Sequence, residues 1–232
     1  MKFNVYELKV KVYLTKTIIK DNMLESISDL IDLSLSKNDR YLQFHKENKY
    51  KYYCYNSFYP LEMDGEYKED NIYTVQLRTI DKELADYLIK ELSNTFTNYI
   101  KVLKVETKII SKKHINKMFS ITPIVLKDST GYWKGNLSLE DFEQRLKVNL
   151  IKKYNKFTGE KINEDFEFYT SLEFKNRKPI GVNYKNIKLL GDKIQLNIAD
   201  DEISQKIAYM ALGTGTGENN ARGLGFMGFR WL

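Results

Sequence analysis

Ile72-Tyr73-Thr74-Val75-Gln76-Leu77-Arg78-Thr79-Ile80-Asp81-Lys82-Glu83-Leu84-Ala85-Asp86-Tyr87-Leu88-Ile89-Lys90-Glu91-Leu92 changes period in its middle. Up to Thr79 apolar and polar residues alternate, the two-residue period of a strand with one buried face. Beyond Asp81 the leucines stand four apart, on one face of a helix. Asp81 suits an N-cap, because its carboxylate can accept from the unpaired amides of a first turn. Working outward, residues 2–14 alternate again and predict a strand. Leu24, Ile27, Leu30 and Ile31 fall at helical spacing over about 22–36. Residues 50–58, rich in aromatics, and 99–110 read as further strands. The order is β-α-β-β-α-β, the ferredoxin-like pattern.

The second half writes that order again. Residues 121–126 form a candidate strand. Ser138-Leu139-Glu140-Asp141 opens a helix with a capping signature, and Leu139, Phe142, Leu146 and Leu150 form its apolar stripe. Residues 166–174 and 181–198 supply strands, with Gly191-Asp192 expected as a hairpin turn. Asp200 or Asp201 starts a helix carrying Ile203, Ile207, Met210 and Ala211, and 223–231 is a final strand-like run. The predicted class is α+β, two tandem ferredoxin-like domains. The division falls near 112–122, giving 1–116 and 117–232. Each half would bury helices against one sheet face and leave the other free for a partner.

Between the last helix and the last strand lies Gly213-Thr214-Gly215-Thr216-Gly217-Glu218-Asn219-Asn220-Ala221-Arg222-Gly223-Leu224-Gly225-Phe226. A dinucleotide fold needs strand, glycine turn and helix in that order, and a Walker A loop needs Gly-Lys-Ser/Thr, so neither fits. Glycines at this density tolerate positive φ and let a backbone approach a partner closely. Their N–H groups can cradle phosphate, and Arg222 adds a planar cation suited to phosphate or guanine. The plainer alternative is a tight helix-to-strand connection in which the glycines serve geometry alone.

The chain has two histidines, His45 and His114. Histidine moves protons near neutral pH, and RNA carries its own nucleophile in the 2′-OH. His45 stands among Lys46, Lys49 and Lys51, whose ammonium groups suit a developing phosphorane. His114, at the domain junction, reads as a backbone contact or a solvated linker residue. Asp200-Asp201-Glu202 sits at a helix start, where acids are commonly caps, and no carboxylate constellation for two metals is apparent. Lys175, Arg177 and Lys178 cluster at a strand end, and Lys185, Lys188 and Lys193 lie with Tyr184 on or near a hairpin. That basic ribbon could follow RNA, or it is a solvated edge whose lysines discourage aggregation.

Composition sets the frame. Lys plus Arg number 37 against 31 acidic residues, a net charge of +6, which points weakly to a polyanion and equally to a lysine-rich soluble protein. Hydrophobic residues at 42% and aromatics at 13% suffice for a core and argue against disorder. No apolar run approaches the roughly 20 residues of a membrane span. The start of the chain lacks a signal-peptide core. Cys54, the single cysteine, cannot form an internal disulfide. A cytoplasmic location is the expectation.

Gly215-x-Gly217, five residues, then Gly223-x-Gly225-Phe226 resembles the glycine-rich loop of the RAMP superfamily. Within that superfamily the chain resembles the CRISPR repeat-processing endoribonucleases. Phe44-His45-Lys46-Glu47-Asn48-Lys49-Tyr50-Lys51-Tyr52-Tyr53, with Ser57-Phe58-Tyr59-Pro60, is similar to their His-bearing segment and next strand. Ile121-Thr122-Pro123-Ile124-Val125 is similar to the opening of their second domain, and residues 142–154 to its amphipathic helix. The likeness covers nearly the whole chain, although the glycine loop marks the superfamily rather than an activity. It implies an endoribonuclease that cuts precursor transcripts into guide RNAs without metal or cofactor, by 2′-OH attack giving a 2′,3′-cyclic phosphate. It implies a catalytic His after the first helix and a Lys six residues on, which His45 and Lys51 match; Lys49 is the substitute. Some members carry a tyrosine in the first helix. Residues 23–35 contain none, and Tyr41 is the nearest. The RNA contacts expected are Lys49, Lys175, Arg177, Lys178, Lys185, Lys188, Arg222 and the glycines 215, 217, 223 and 225. The implied partners are CRISPR repeat RNA, as precursor and mature guide, and subunits of an effector complex, with no membrane partner and a monomer or homodimer. The alternative is a non-catalytic RNA-binding RAMP subunit of such a complex.

Overall fold

The computed structural model describes residues 3–128, 131–185 and 187–232. Lys2, the expected start of the first strand, and Asn186, within the 181–198 run, lie outside the described residues. The first half runs β1 (Tyr6–Leu14), β2 (Ile18–Ile19), α1 (Lys20–Ser36), α2 (Asp39–Lys46), β3 (Tyr53–Tyr55), β4 (Glu66–Tyr67), β5 (Ile72–Thr79), α3 (Lys82–Leu92) and β6 (Ile100–Ile109). The second runs β7 (Ile115–Ser120), β8 (Lys127–Asp128), β9 (Gly131–Tyr132), α4 (Leu139–Thr158), β10 (Tyr169–Phe174), β11 (Ile180–Tyr184), β12 (Ile187–Gly191), β13 (Ile194–Ile198), α5 (Glu202–Thr214) and β14 (Met227–Trp231).

The first sheet has the order β3-β5-β1-β6 and the second β10-β13-β7-β14, so each places its strands second, third, first, fourth, with antiparallel neighbours. This is the tandem ferredoxin-like fold. On β1, Leu8, Val10, Val12 and Leu14 are buried in the core with Leu24, Ile27 and Ile31 of α1 and Leu84 and Leu88 of α3. Burial of each such side chain stabilises by about 1.5–3 kcal/mol. Asp81 caps α3 by accepting from the Leu84 N–H, and Ser138 and Asp141 close a reciprocal capping box on α4.

Five expectations are corrected. A short helix, α2, capped by Asn38, stands where none was predicted; it is eight residues long and buries only Tyr41, too little for a periodic signal. The strand expected over 50–58 shrinks to β3. Residues 121–126 are not a strand: β7 precedes them, Pro123 lacks a ladder donor, and Ile124 and Val125 make single bridges to Asp192 and Glu218. Gly191-Asp192 is not a hairpin turn, because the β11–β12 hairpin turns after Tyr184, which pairs with Ile187. Asp192 is instead fully buried and accepts from Tyr132 Oη, Trp133 Nε1, Lys134 Nζ and Asn176 Nδ2 at 2.7–3.2 Å. Leu139, placed on the α4 stripe, is exposed.

The two cores interleave. Phe3, Val5, Ile80 and Ile110 pack in the second core, while Val125, Leu189 and Leu224 pack in the first. Arg78 on β5 donates to Glu7 Oε2 at 2.8 Å and, across the seam, to the Met227 carbonyl at 2.7 Å, with its guanidinium over Phe226. β7 runs across the expected 116/117 division. Among the described residues no helix is long and apolar enough to cross a membrane.

Candidate functional site

On α1 the buried residues Leu24, Ile27, Ile31 and Leu35 face the core, and Ser28 and Asp32, four apart, flank that stripe. α2 docks beside them through Tyr41 and Phe44, which brings His45, in its last turn, to Asp32: His45 Nδ1 lies 3.3 Å from Asp32 Oδ1. The His45 side chain is 39% exposed and that of Asp32 20%. Burial raises the Asp32 pKa, opposed by the charges of His45 and then Lys185.

Lys51 Nζ donates to the carbonyls of Phe44, His45 (3.0 Å) and Glu47 (2.7 Å). An ammonium has three N–H bonds, so all are spent on the open end of α2. Burial lowers the Lys51 pKa, while Glu47 and Asp32 resist. Lys51 therefore braces the turn that carries His45. Tyr41 is turned inward, its ring 4.1 Å from that of Tyr87, and is a core residue. Lys49 is exposed and 2.9 Å from Glu47.

The second half reaches this place through the β11–β12 hairpin. Tyr184 Oη lies 3.1 Å from Ser28 Oγ, Asn183 donates to Asp21, and the Lys185 N–H donates to Glu25. Lys185 adopts φ +43°, and its charge acts on Asp29 and Asp32. The Arg222 guanidinium lies 4.7 Å over the Tyr184 ring. His45, Lys51, Lys185 and Arg222 thus gather around the exposed flank of α1. Tyr184 is buried under Arg222 and is no free stacking platform.

The glycine-rich loop is held from beneath. Lys153 of α4, fully buried, donates to Gly215 O (3.0 Å), Gly217 O (3.1 Å) and Asn220 Oδ1 (2.6 Å). Asn220 Nδ2 in turn donates to Thr216 O and Leu224 O. Gly215, Gly217, Gly223 and Gly225 all have positive φ, and a Cβ on Gly225 would lie 1.9 Å from Thr216 O. These four glycines are buried, and the amides of Gly215, Gly223 and Gly225 donate to Ala211, Asn220 and Pro123. The expected phosphate cradle gives way to a scaffold that presents Arg222.

Of the remaining expected contacts, Lys175, Arg177 and Lys178 sit apart. Lys175 pairs with Glu173, and Arg177 and Lys178 are exposed in the turn before β11; five strand residues, roughly 16 Å, separate them from the hairpin tip. Lys188 is exposed on β12 with its stem over Gly181. His114 Nε2 lies 2.9 Å from Asp200, away from α1. Among the described residues no three His, Cys, Asp or Glu side chains converge as metal ligands. Asp32 and Lys153 were missed by sequence reasoning. Lys153 had left a trace, a lysine three residues past Leu150 on the apolar side of α4; the pairing of Asp32 with His45 is set by tertiary contact alone.

Comparison with known proteins points one way. The family model described as CRISPR associated protein Cas6, C-terminal, matches residues 103–228. A curated relative, the CRISPR-associated endoribonuclease Cas6 2 of Methanocaldococcus jannaschii, is 24% identical over 220 residues, covering 84% of this chain and 87% of its own. A solved CRISPR-associated protein Cas6 superposes with a TM-score of 0.72 at 20% identity, covering 97% of this chain and 99% of that one. A RAMP protein described as binding different RNA substrates gives 0.73 at 18%, with the same coverage of both chains. At these identities the structural likeness speaks for the fold.

Proposed function

The chain belongs to the Cas6 family of CRISPR-associated proteins, and on that footing we propose that it is an endoribonuclease that binds CRISPR repeat RNA and cuts precursor transcripts into guide RNAs. The observation that carries this reading is the convergence on α1 of His45 from the first half with Lys185 and Arg222 from the second.

His45 Nε2 takes the proton of the 2′-OH beside the scissile phosphate. The 2′-oxygen bonds to phosphorus while the bond from phosphorus to the 5′-oxygen breaks. The leaving 5′-oxygen takes a proton from water, and the imidazolium returns its proton to the hydroxide so formed. The products are a 2′,3′-cyclic phosphate and a 5′-OH, and the balance calls on no metal. The Lys185 and Arg222 charges favour the phosphorane, the part that sequence reading gave to Lys51, and Lys51 fixes the turn that aims His45. A second reading, binding without cutting, draws on one observation: every Lys51 donor is engaged within the chain.

Labelled repeat RNA incubated with the protein in EDTA separates the two. The expected result is one cut per repeat, with a 3′ end that resists phosphatase until the cyclic ester is opened. Tight binding with intact RNA would favour the second reading, and cutting only with added divalent ion would remove the metal-free mechanism.

A further inference from the structure

We propose that Asp32 is a positioning residue for His45, holding the imidazole by Nδ1 so that Nε2 is the nitrogen offered to RNA. This deepens the reading above and rests on it.

The two residues come from different helices, and docking of α2 on α1 brings them to 3.3 Å. Asp32 stands on the flank of an otherwise apolar stripe, where a carboxylate is costly to keep. Its charge is largely withdrawn from water, with Asp29 adding repulsion, and the groups opposing that cost are the His45 imidazole, first, and Lys185. Ser28, a turn earlier on the same flank, supports the carboxylate. Among the described residues no protein group hydrogen-bonds His45 Nε2.

A neutral imidazole accepts a proton at only one nitrogen, and its tautomer is set by what the other nitrogen touches. A carboxylate on Nδ1 keeps the proton there, leaves Nε2 as the acceptor, and stabilises the imidazolium once Nε2 has been protonated. The 3.3 Å separation is that of the free protein, and such contacts tighten when substrate is bound. An Asp32 that served only to dock the hairpin through Lys185 would instead govern RNA binding and stability.

The test uses D32A, D32N and H45A in the full chain. With two histidines in the chain, a long-range ¹H–¹⁵N spectrum of histidine-labelled protein shows two imidazoles, and His114, on Asp200, is the internal control. In wild type His45 is expected as the Nδ1–H tautomer. D32A should turn this into a mixture and slow single-turnover cleavage in EDTA about 10- to 100-fold, with the Kd for RNA and the Tm unchanged. D32N, whose amide can donate to Nδ1 as well as accept from it, should also lose the single Nδ1–H tautomer and the rate while keeping the size of the side chain. The proposal is overturned if D32A leaves tautomer and rate unchanged while H45A is inactive, or if D32A acts only by weakening RNA binding. Cleavage by H45A at the wild-type rate would instead remove the His45 reading on which the proposal stands.

Discussion

Lys51 shows how tertiary structure can give a charged residue a task that its spacing does not announce. Its spacing from His45 suggested a phosphate-facing ammonium, yet its three protons go to the carbonyls of Phe44, His45 and Glu47. A cation at a helix C-terminus satisfies carbonyls that have no partner within the helix and meets the negative end of its dipole. Hydrogen bonds from charged donors contribute about 1.5–3 kcal/mol, so K51A should lower the denaturation midpoint measurably in the absence of RNA. A lysine that served substrate alone would leave that midpoint unchanged. His45 stood out as a candidate because the chain has so few histidines and its neighbours are lysines. Asp32 did not, since nothing local marks which acid of α1 will face a helix that had itself gone unpredicted. The burial of Tyr41 against Tyr87 could not be anticipated for the same reason, with α2 unseen.

Among the elements, legibility followed the cleanness of the period. Residues 72–92 predicted a strand, a cap and a helix, and the structure has β5, Asp81 and α3 there. The run 121–126 misled because it is apolar and buried without joining a ladder; it passes beneath the glycine-rich loop, bridging Asp192 and Glu218. That loop was the plainest feature of the sequence, but its support was invisible, because Lys153 reaches it from a helix some sixty residues away. Three acceptors complement the three N–H bonds of an ammonium, while complete burial draws its pKa down to about 7. The folded chain then releases this proton near pH 7, whereas the unfolded chain holds it to about 10.5. Between those values the unfolded state binds more protons, so stability rises with pH. Denaturant unfolding of wild type and K153M from pH 7 to 10 should show the wild type gaining on the variant. Parallel curves would show that Lys153 does not titrate in that window. RNA affinity should fall in K153M at every pH, because the loop that presents Arg222 loses its anchor.

At the scale of the whole molecule the ferredoxin-like order was legible twice over, while the interleaving of the halves was not. Val5 and Ile80 belong to the second core and Leu224 to the first. Arg78 carries the buried charge of Glu7 into the seam and anchors it on the Met227 carbonyl. The hairpin is likewise tied to α1 at Tyr184 and Asn183. A site drawing on both halves needs this seam, since Lys185 and Arg222 stand beside α1 only while the second half is fixed against it. The central claim, that His45 moves the proton at a site built by both halves, is tested most directly by single-turnover cleavage of labelled repeat RNA in EDTA by wild type and H45A, with the Kd measured alongside. The account predicts a rate loss of about 10²- to 10⁴-fold with unchanged affinity; equal rates for the two proteins would contradict it.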